Sequence, residues 1–185
     1  IFLLAEWESA SFHENAFHAT YDWSTHFVMD DVYKGKKGAN DLLKWIVEKQ
    51  KNYPQNALPL RFTENHDLDR TRSRFGDNKF YPFVLLNYLI SGIPLIYCGQ
   101  EFGLNKTPNL FEKDPLDWDK FDNKTFDFYK KVIRLRNEYP AFRSRNLKII
   151  RNDKQEQVVS MVKEDGYEKI LAILNYSHEQ LDVNL

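Results

Sequence analysis

The sequence has one cysteine, Cys98, so an intrachain disulfide framework and a multi-thiolate metal site are both excluded. Glycine and proline are scarce, at 7 each, which excludes collagen-like and linker-like chains. Neither sign of charge is in excess: 26 basic and 27 acidic residues leave −1. No broad basic field is therefore available for nucleic acid or for an anionic membrane surface. No apolar run approaches the roughly 18–20 residues of a membrane span. Neither the glycine-rich dinucleotide fingerprint nor a P-loop follows any apolar segment, so nucleotide folds that cradle phosphate lose support. Aromatic residues, by contrast, are plentiful, with 14 Phe, 10 Tyr and 4 Trp. They can fill a core, and they can offer flat faces for stacking on sugars or bases. With 185 residues, 42% of them hydrophobic, the chain can bury a sizeable core as one domain or one and a fraction.

Ile1-Phe2-Leu3-Leu4-Ala5 reads as a strand buried on both faces, an unusual place for a free amino terminus. It is too short for a signal peptide and has no basic lead-in. Leu181 to Leu185 alternates like a strand and then stops. The chain is accordingly expected to be a piece of a longer polypeptide. The lone cysteine is compatible with a cytoplasmic protein, but no compartment is assigned.

Between the ends, Phe17 to Tyr21 reads as a second strand. Residues 40–51 form an amphipathic helix with Leu42, Leu43, Ile46 and Val47 on one stripe and Glu48, Lys49 and Lys51 opposite. Asn40 or Asp41 is placed to cap it and Pro54 to stop it. Leu58 to Thr63 is a strand, 80–90 an almost wholly apolar helix, Ile93 to Tyr97 a strand, and Phe126 to Tyr139 an amphipathic helix ending at Pro140. Residues 147–151, 157–163 and 169–175 are short strands joined by polar turns, the pattern of an antiparallel meander. Alternating strand and helix imply a parallel sheet, so the fold class is α/β followed by an all-β tail. The boundary falls within 141–146, dividing the chain into 1–143 and 144–185.

Chemistry in parallel α/β folds sits at the carboxyl ends of strands. Here those ends carry Glu6-Trp7-Glu8, Glu64-Asn65-His66-Asp67 and Cys98-Gly99-Gln100-Glu101. Carboxylates at the ends of all three strands suit a site using paired acids. Glu6 beside Trp7 in a dry cleft would have the raised pKa of a general acid; the alternative is an ordinary strand-end glutamate in water. Glu8 reads as a loop charge. Asn65, His66 and Asp67 suit vicinal hydroxyls, or else form a capped turn. Asp69 and Arg70 read as an exposed pair of little energetic weight, with Arg70 kept as a candidate substrate contact. His13, His18 and His26 lack metal-ligand spacing, Cys98 reads as a small buried residue, and Glu101 as a carboxylate tying down its loop.

These motifs resemble the α-amylase family of glycoside hydrolases from the fifth barrel strand onward. Leu3-Leu4-Ala5-Glu6-Trp7 is similar to the fifth-strand motif, and Phe62-Thr63-Glu64-Asn65-His66-Asp67 to the seventh. Gly92 to Glu101 resembles the eighth strand and its exit, Asp114 to Trp118 the loop beyond, and Leu135 to Phe142 the end of the last helix. The resemblance implies half of a TIM (β/α)8 barrel, strands five to eight, and then the start of a C-terminal β domain. It implies Glu6 as general acid/base, Asp67 as the third catalytic carboxylate and His66 as a sugar contact, with Asn65, Trp7 and Arg70 as further substrate-binding candidates. The substrate implied is an α-glucan or maltooligosaccharide. The family's nucleophile, an Asp two residues after an Arg on the fourth strand, has no counterpart here, so the chain is expected to be inactive alone. No metal or cofactor is expected within it; a calcium ion, if needed, would belong to the missing part. Open half-barrel edges raise a homodimer as a further expectation. The alternative is a non-catalytic member of the fold that binds a carbohydrate or a protein partner.

Overall fold

The computed structural model describes residues 1–77 and 79–185. Four short strands, β1 (Leu4–Ala5), β2 (Ala19–Tyr21), β3 (Leu58–Arg61) and β4 (Ile93–Pro94), form one parallel sheet in chain order. Parallel neighbours need long crossovers. The β2–β3 crossover holds α2 (Trp23–Tyr33) and α3 (Ala39–Lys51), and the β3–β4 crossover holds α4 (Thr71–Phe75) and α5 (Phe80–Leu89). A single-turn helix, α1 (Phe12–Asn15), lies between β1 and β2. After β4 come a long loop, α6 (Asn123–Glu138), a 3-10 turn at Pro140–Phe142, and an antiparallel sheet of β5 (Leu147–Ile149), β6 (Val158–Asp165) and β7 (Glu168–Asn175).

The period-2 alternation of the parallel strands separates two environments. Tyr21, Leu60 and Phe62 cluster on one side of the sheet. Thr20, Asp22 and Arg61 are buried on the other, beneath the helices. That helix-side layer is ionic. Asp22 pairs with both Arg61 of β3 and Lys49 of α3, and it caps α2 by accepting from Thr25 N at 3.4 Å. Arg61 Nε also donates to Ser91 O at 2.8 Å.

Several sequence expectations change here. Ile1 to Leu4 are exposed and only Ala5 is buried, because β1 is paired with β2 alone among the described strands. Residues 181–185 form no strand; Asn184 instead bonds Asp153 through its backbone and side chain. Lys49, placed by periodicity on the wet face of α3, is only 8% exposed, because Asp22 lies beneath the helix. Asp41 does stabilise the start of α3, accepting from Gly38 N at 3.2 Å, but from the third helical position, with Gly38 as the N-cap. Helix α2 was not foreseen: its buried residues Thr25, His26, Val28, Met29 and Val32 mix polar with apolar and give little periodic contrast.

The meander shares its core with the helices. Val159, Met161, Ala172 and Leu174 join a cluster with Leu42, Ile46, Leu86 and Val132. Arginines close the seam by donating to carbonyls that helix ends leave orphaned. Arg136 reaches Tyr88 O in the last turn of α5, Ile90 O (3.3 Å) and Gly92 O (2.6 Å) just beyond it, and Phe142 O (3.2 Å) in the 3-10 turn. Arg145 donates to Gln50 O at 2.6 Å and Pro54 O at 3.0 Å, at the end of α3. In exchange, Gln155 O and Glu156 O accept from the first amides of α3.

Two predictions follow from this seam. Arg136→Met leaves a group of buried carbonyls without their donor and should cost about 3 kcal/mol, read from urea unfolding midpoints. Lys163 on β6 is fully buried and donates to Ser144 O. Burial, aided by Arg136 and Arg61, lowers its ammonium from 10.5 to about 7. Between those values the unfolded chain holds a proton that the folded chain has released, so stability rises with pH across that window. Lys163→Met should lose this rise when unfolding is compared at about pH 6 and about pH 9.

Candidate active site

Three chain segments leave the same edge of the parallel sheet: Glu6 onward after β1, Phe62 onward after β3, and Leu95 onward after β4. The first two bring carboxylates to one histidine. His66 Nε2 lies 3.0 Å from Glu6 Oε1 and 3.4 Å from Asp67 Oδ1. One ligand atom from each of the three groups lies within 4.8 Å of the others. All three side chains are about half exposed. Trp7 is 67% exposed, so the indole does not close a dry pocket over Glu6, and the desolvated cleft anticipated from the sequence is absent from the described structure. Among the described residues, this is also the group whose donor spacing would suit a cation.

Tyr21, at the end of β2, was not singled out from the sequence. Burial and then the nearby charges of Glu6 and Asp67 push its hydroxyl pKa upward. Its ring stacks on Trp23 at 5.9 Å and tilts against Phe62 at 5.3 Å, forming an aromatic floor beside the acids. The signal that could have found it is its place at the carboxyl end of an apolar strand beside two acid-bearing ones.

The His66-Asp67 turn stands on a buried polar web. Asn65 is buried, and its Oδ1 accepts from Asp67 N at 3.0 Å, so the capped turn is present together with the clustered side chains. Glu64 accepts from Arg70 Nη1 at 2.8 Å and from Thr71 N at 2.6 Å. Burial raises its pKa, and these donors pull against that rise. Arg70 also donates to Cys98 O at 2.8 Å and Lys106 O at 3.1 Å, and it lies 5.0 Å from the Tyr97 ring centroid. The exposed Asp69–Arg70 pair is thus corrected: Arg70 is buried on Glu64, while Asp69 accepts from Thr107 at 2.6 Å. Arg70 lines a cavity of about 510 Å³ with Tyr97, Cys98, Leu104, Lys106 and Asp114.

Cys98 is exposed, where the sequence suggested burial. Glu101 accepts from Gly99 N at 3.1 Å and so ties its own loop. The upstream histidines serve local structure. His13 bonds Thr20 Oγ1 at 2.8 Å, His18 Nδ1 accepts from Leu3 N at 3.0 Å, and His26 stacks on Phe62 at 5.2 Å. Burial lowers the His26 pKa to about 3, keeping the ring neutral.

Residues 15–120 match the model of the alpha amylase catalytic domain, a range that includes His66 and Asp67 but not Glu6. The chain is 28% identical over 91% of its length to Alpha-amylase 2 of Dictyoglomus thermophilum, covering 32% of that protein. It is 31% identical over 66% of its length to a cyclomaltodextrinase of a Bacillus species, covering 23% of that protein. Among solved structures, a maltogenic alpha-amylase AmyB from Thermotoga neapolitana superposes with a TM-score of 0.85 at 25% identity, covering 95% of this chain and 42% of that one. The chain therefore spans about a third or less of these two curated relatives. The match across more than half of its residues and the shared α/β fold establish that the chain belongs to the alpha-amylase family.

Proposed function

We propose that this chain is the acid/base half of a retaining glycosidase acting on α-glucans or maltooligosaccharides. In this reading the parallel strands are strands five to eight of an eight-stranded barrel, residues 1–143 belong to the catalytic domain, and 144–185 begin a β domain. The observation that carries it is the convergence of Glu6 and Asp67, from two separate strand ends, on His66 Nε2 at 3.0 and 3.4 Å. Glu6 protonates the leaving glycosidic oxygen and then takes a proton from water or from an acceptor sugar. Asp67 faces the positive charge that develops on the sugar ring. His66, held between them, donates to a sugar hydroxyl, and Asn65 supports the turn. A cation shared by the three groups would tie up the carboxylate that must exchange the proton, so the reading needs no metal at this point.

Retaining chemistry also needs an attacking carboxylate opposite the acid. The family resemblance assigns that role to an Asp on a strand other than those described, and Asp67 to the sugar-facing role. The chain by itself is accordingly proposed to be inactive. The relatives' names span alpha-amylase, cyclomaltodextrinase and, for a 29% identical protein of Thermoactinomyces vulgaris, Neopullulanase 2. The linkage cleaved is therefore tested on maltooligosaccharides and pullulan together. The second reading, a binding protein on the same fold, is favoured by the openness of the three side chains.

Reducing-sugar release by this chain, and by the polypeptide extended upstream through four further strands, separates the readings. Only the extended polypeptide should be active, and Glu6→Gln should lower its kcat by about 10²- to 10⁴-fold, the usual range for general acid–base catalysis. Retained activity in Glu6→Gln would remove Glu6 from the mechanism. Sugar binding without release by either form would favour the binding protein.

A further inference from the structure

Glu8 reads from the sequence as a loop charge, yet it is the most heavily bonded carboxylate near the site. Its Oε2 accepts from Ser24 N at 2.6 Å, and its Oε1 accepts from Ser24 Oγ at 2.5 Å and Lys49 Nζ at 2.5 Å. Tyr53 Oη lies 3.4 Å from the same oxygen. Burial would raise the pKa of Glu8, but the Lys49 and Ser24 donors outweigh it and hold the carboxyl below its ordinary value. Lys49 also pairs with Asp22, which pairs with Arg61, so Glu8 is fastened to the ionic layer beneath α2 and α3.

One residue, Trp7, separates Glu8 from Glu6, and two residues of chain reach at most about 7 Å. On its other side Glu6 follows Ala5, which pairs with Thr20 in the parallel ladder. The backbone of Glu6 is therefore gripped from both directions, by β1 before it and by the Glu8 anchor after it. The exposed Trp7 contributes little grip of its own. Nothing in the reaction as proposed uses Glu8, and its carboxylate is turned into the helix layer, away from substrate.

We propose that Glu8, locked by Lys49 and Ser24, is a positioning residue that sets where the Glu6 carboxyl stands against the scissile bond. This rests on the acid/base role proposed for Glu6. A misplacement on the order of 1 Å in such a group can cost about 10²-fold in rate. A residue that served stability alone would lower the melting temperature and leave turnover of the folded protein intact.

The test uses the polypeptide form found active in the reducing-sugar assay, at a temperature where circular dichroism shows each variant folded. Glu8→Gln keeps an acceptor for Ser24 and removes one of the two carboxylates that pair with Lys49, leaving Asp22 in place. Its kcat should fall about 10- to 100-fold with KM within about threefold. Lys49→Met should fall similarly, and the double variant should be no worse than the poorer single, because both break one linkage. Ser24→Ala, which removes one donor and leaves the ion pair, is the milder arm and should lose a few-fold in kcat. Unchanged kcat in folded Glu8→Gln and Ser24→Ala, or a rise in KM alone, would overturn the proposal. Glu6→Gln run alongside separates the two failures. If it is inactive while Glu8→Gln is normal, only the positioning role falls. If it is active, the acid/base reading falls and takes this role with it.

Discussion

Three charges, Asp22, Lys49 and Arg61, are shut between the parallel sheet and the helices that cover it, and Glu8 reaches them from the partly exposed rim. Glu8 and Asp22 balance Lys49 and Arg61, so the layer carries no net charge. Removing Asp22 would take away the carboxylate that pairs with the buried Arg61, a loss of about 3–5 kcal/mol in comparable cases. The pairing fixes more than energy. Asp22 caps α2, Lys49 joins α3 to Asp22 and Glu8, Arg61 ties β3 to the loop before β4, and Glu8 bonds Ser24 at the start of α2. The segment that carries the solvent-facing Glu6 is thus bonded from behind, on the helix side of the sheet.

The seam between the parallel sheet's helices and the meander follows related physics with neutral partners. Helix carboxyl ends carry orphaned carbonyls and the negative end of a dipole, and Arg145 and Arg136 answer both for α3 and for the chain just beyond α5. Lys163 donates to Ser144 O in the same seam, and burial, with Arg136 and Arg61 nearby, lowers its pKa. The chain packs as one body partly because backbone oxygens from both sheets' surroundings accept from the same few cations, and partly because Val159 and Met161 enter the helical core.

The site itself lies at the other extreme of solvation. Glu6, His66 and Asp67 stand half exposed on supports that are fully buried, namely Glu64, Asn65, Arg70 and Thr71 beneath the turn. The backing is packed while the front stays open to solvent.

The amphipathic stripe of α3, the apolar run of α5 and the short strands and polar turns of β5 to β7 were legible because each of these patterns is local. The strand-end position of Glu6 was legible for the same reason, since a short apolar run followed by an acid marks its own exit, whereas after β3 that rule marks Glu64 rather than Asp67. Tertiary contact decided the rest. Lys49 turns inward because Glu8 and Asp22, 41 and 27 residues away, need a cation. Arg70 is buried because Glu64 and the carbonyls of Cys98 and Lys106 converge on it. The sequence by itself determined which segments fold and which residue types end them. Only the tertiary structure decided which charges are buried and which face solvent, because that depends on partners brought close by packing, and sequence periodicity carries no record of them.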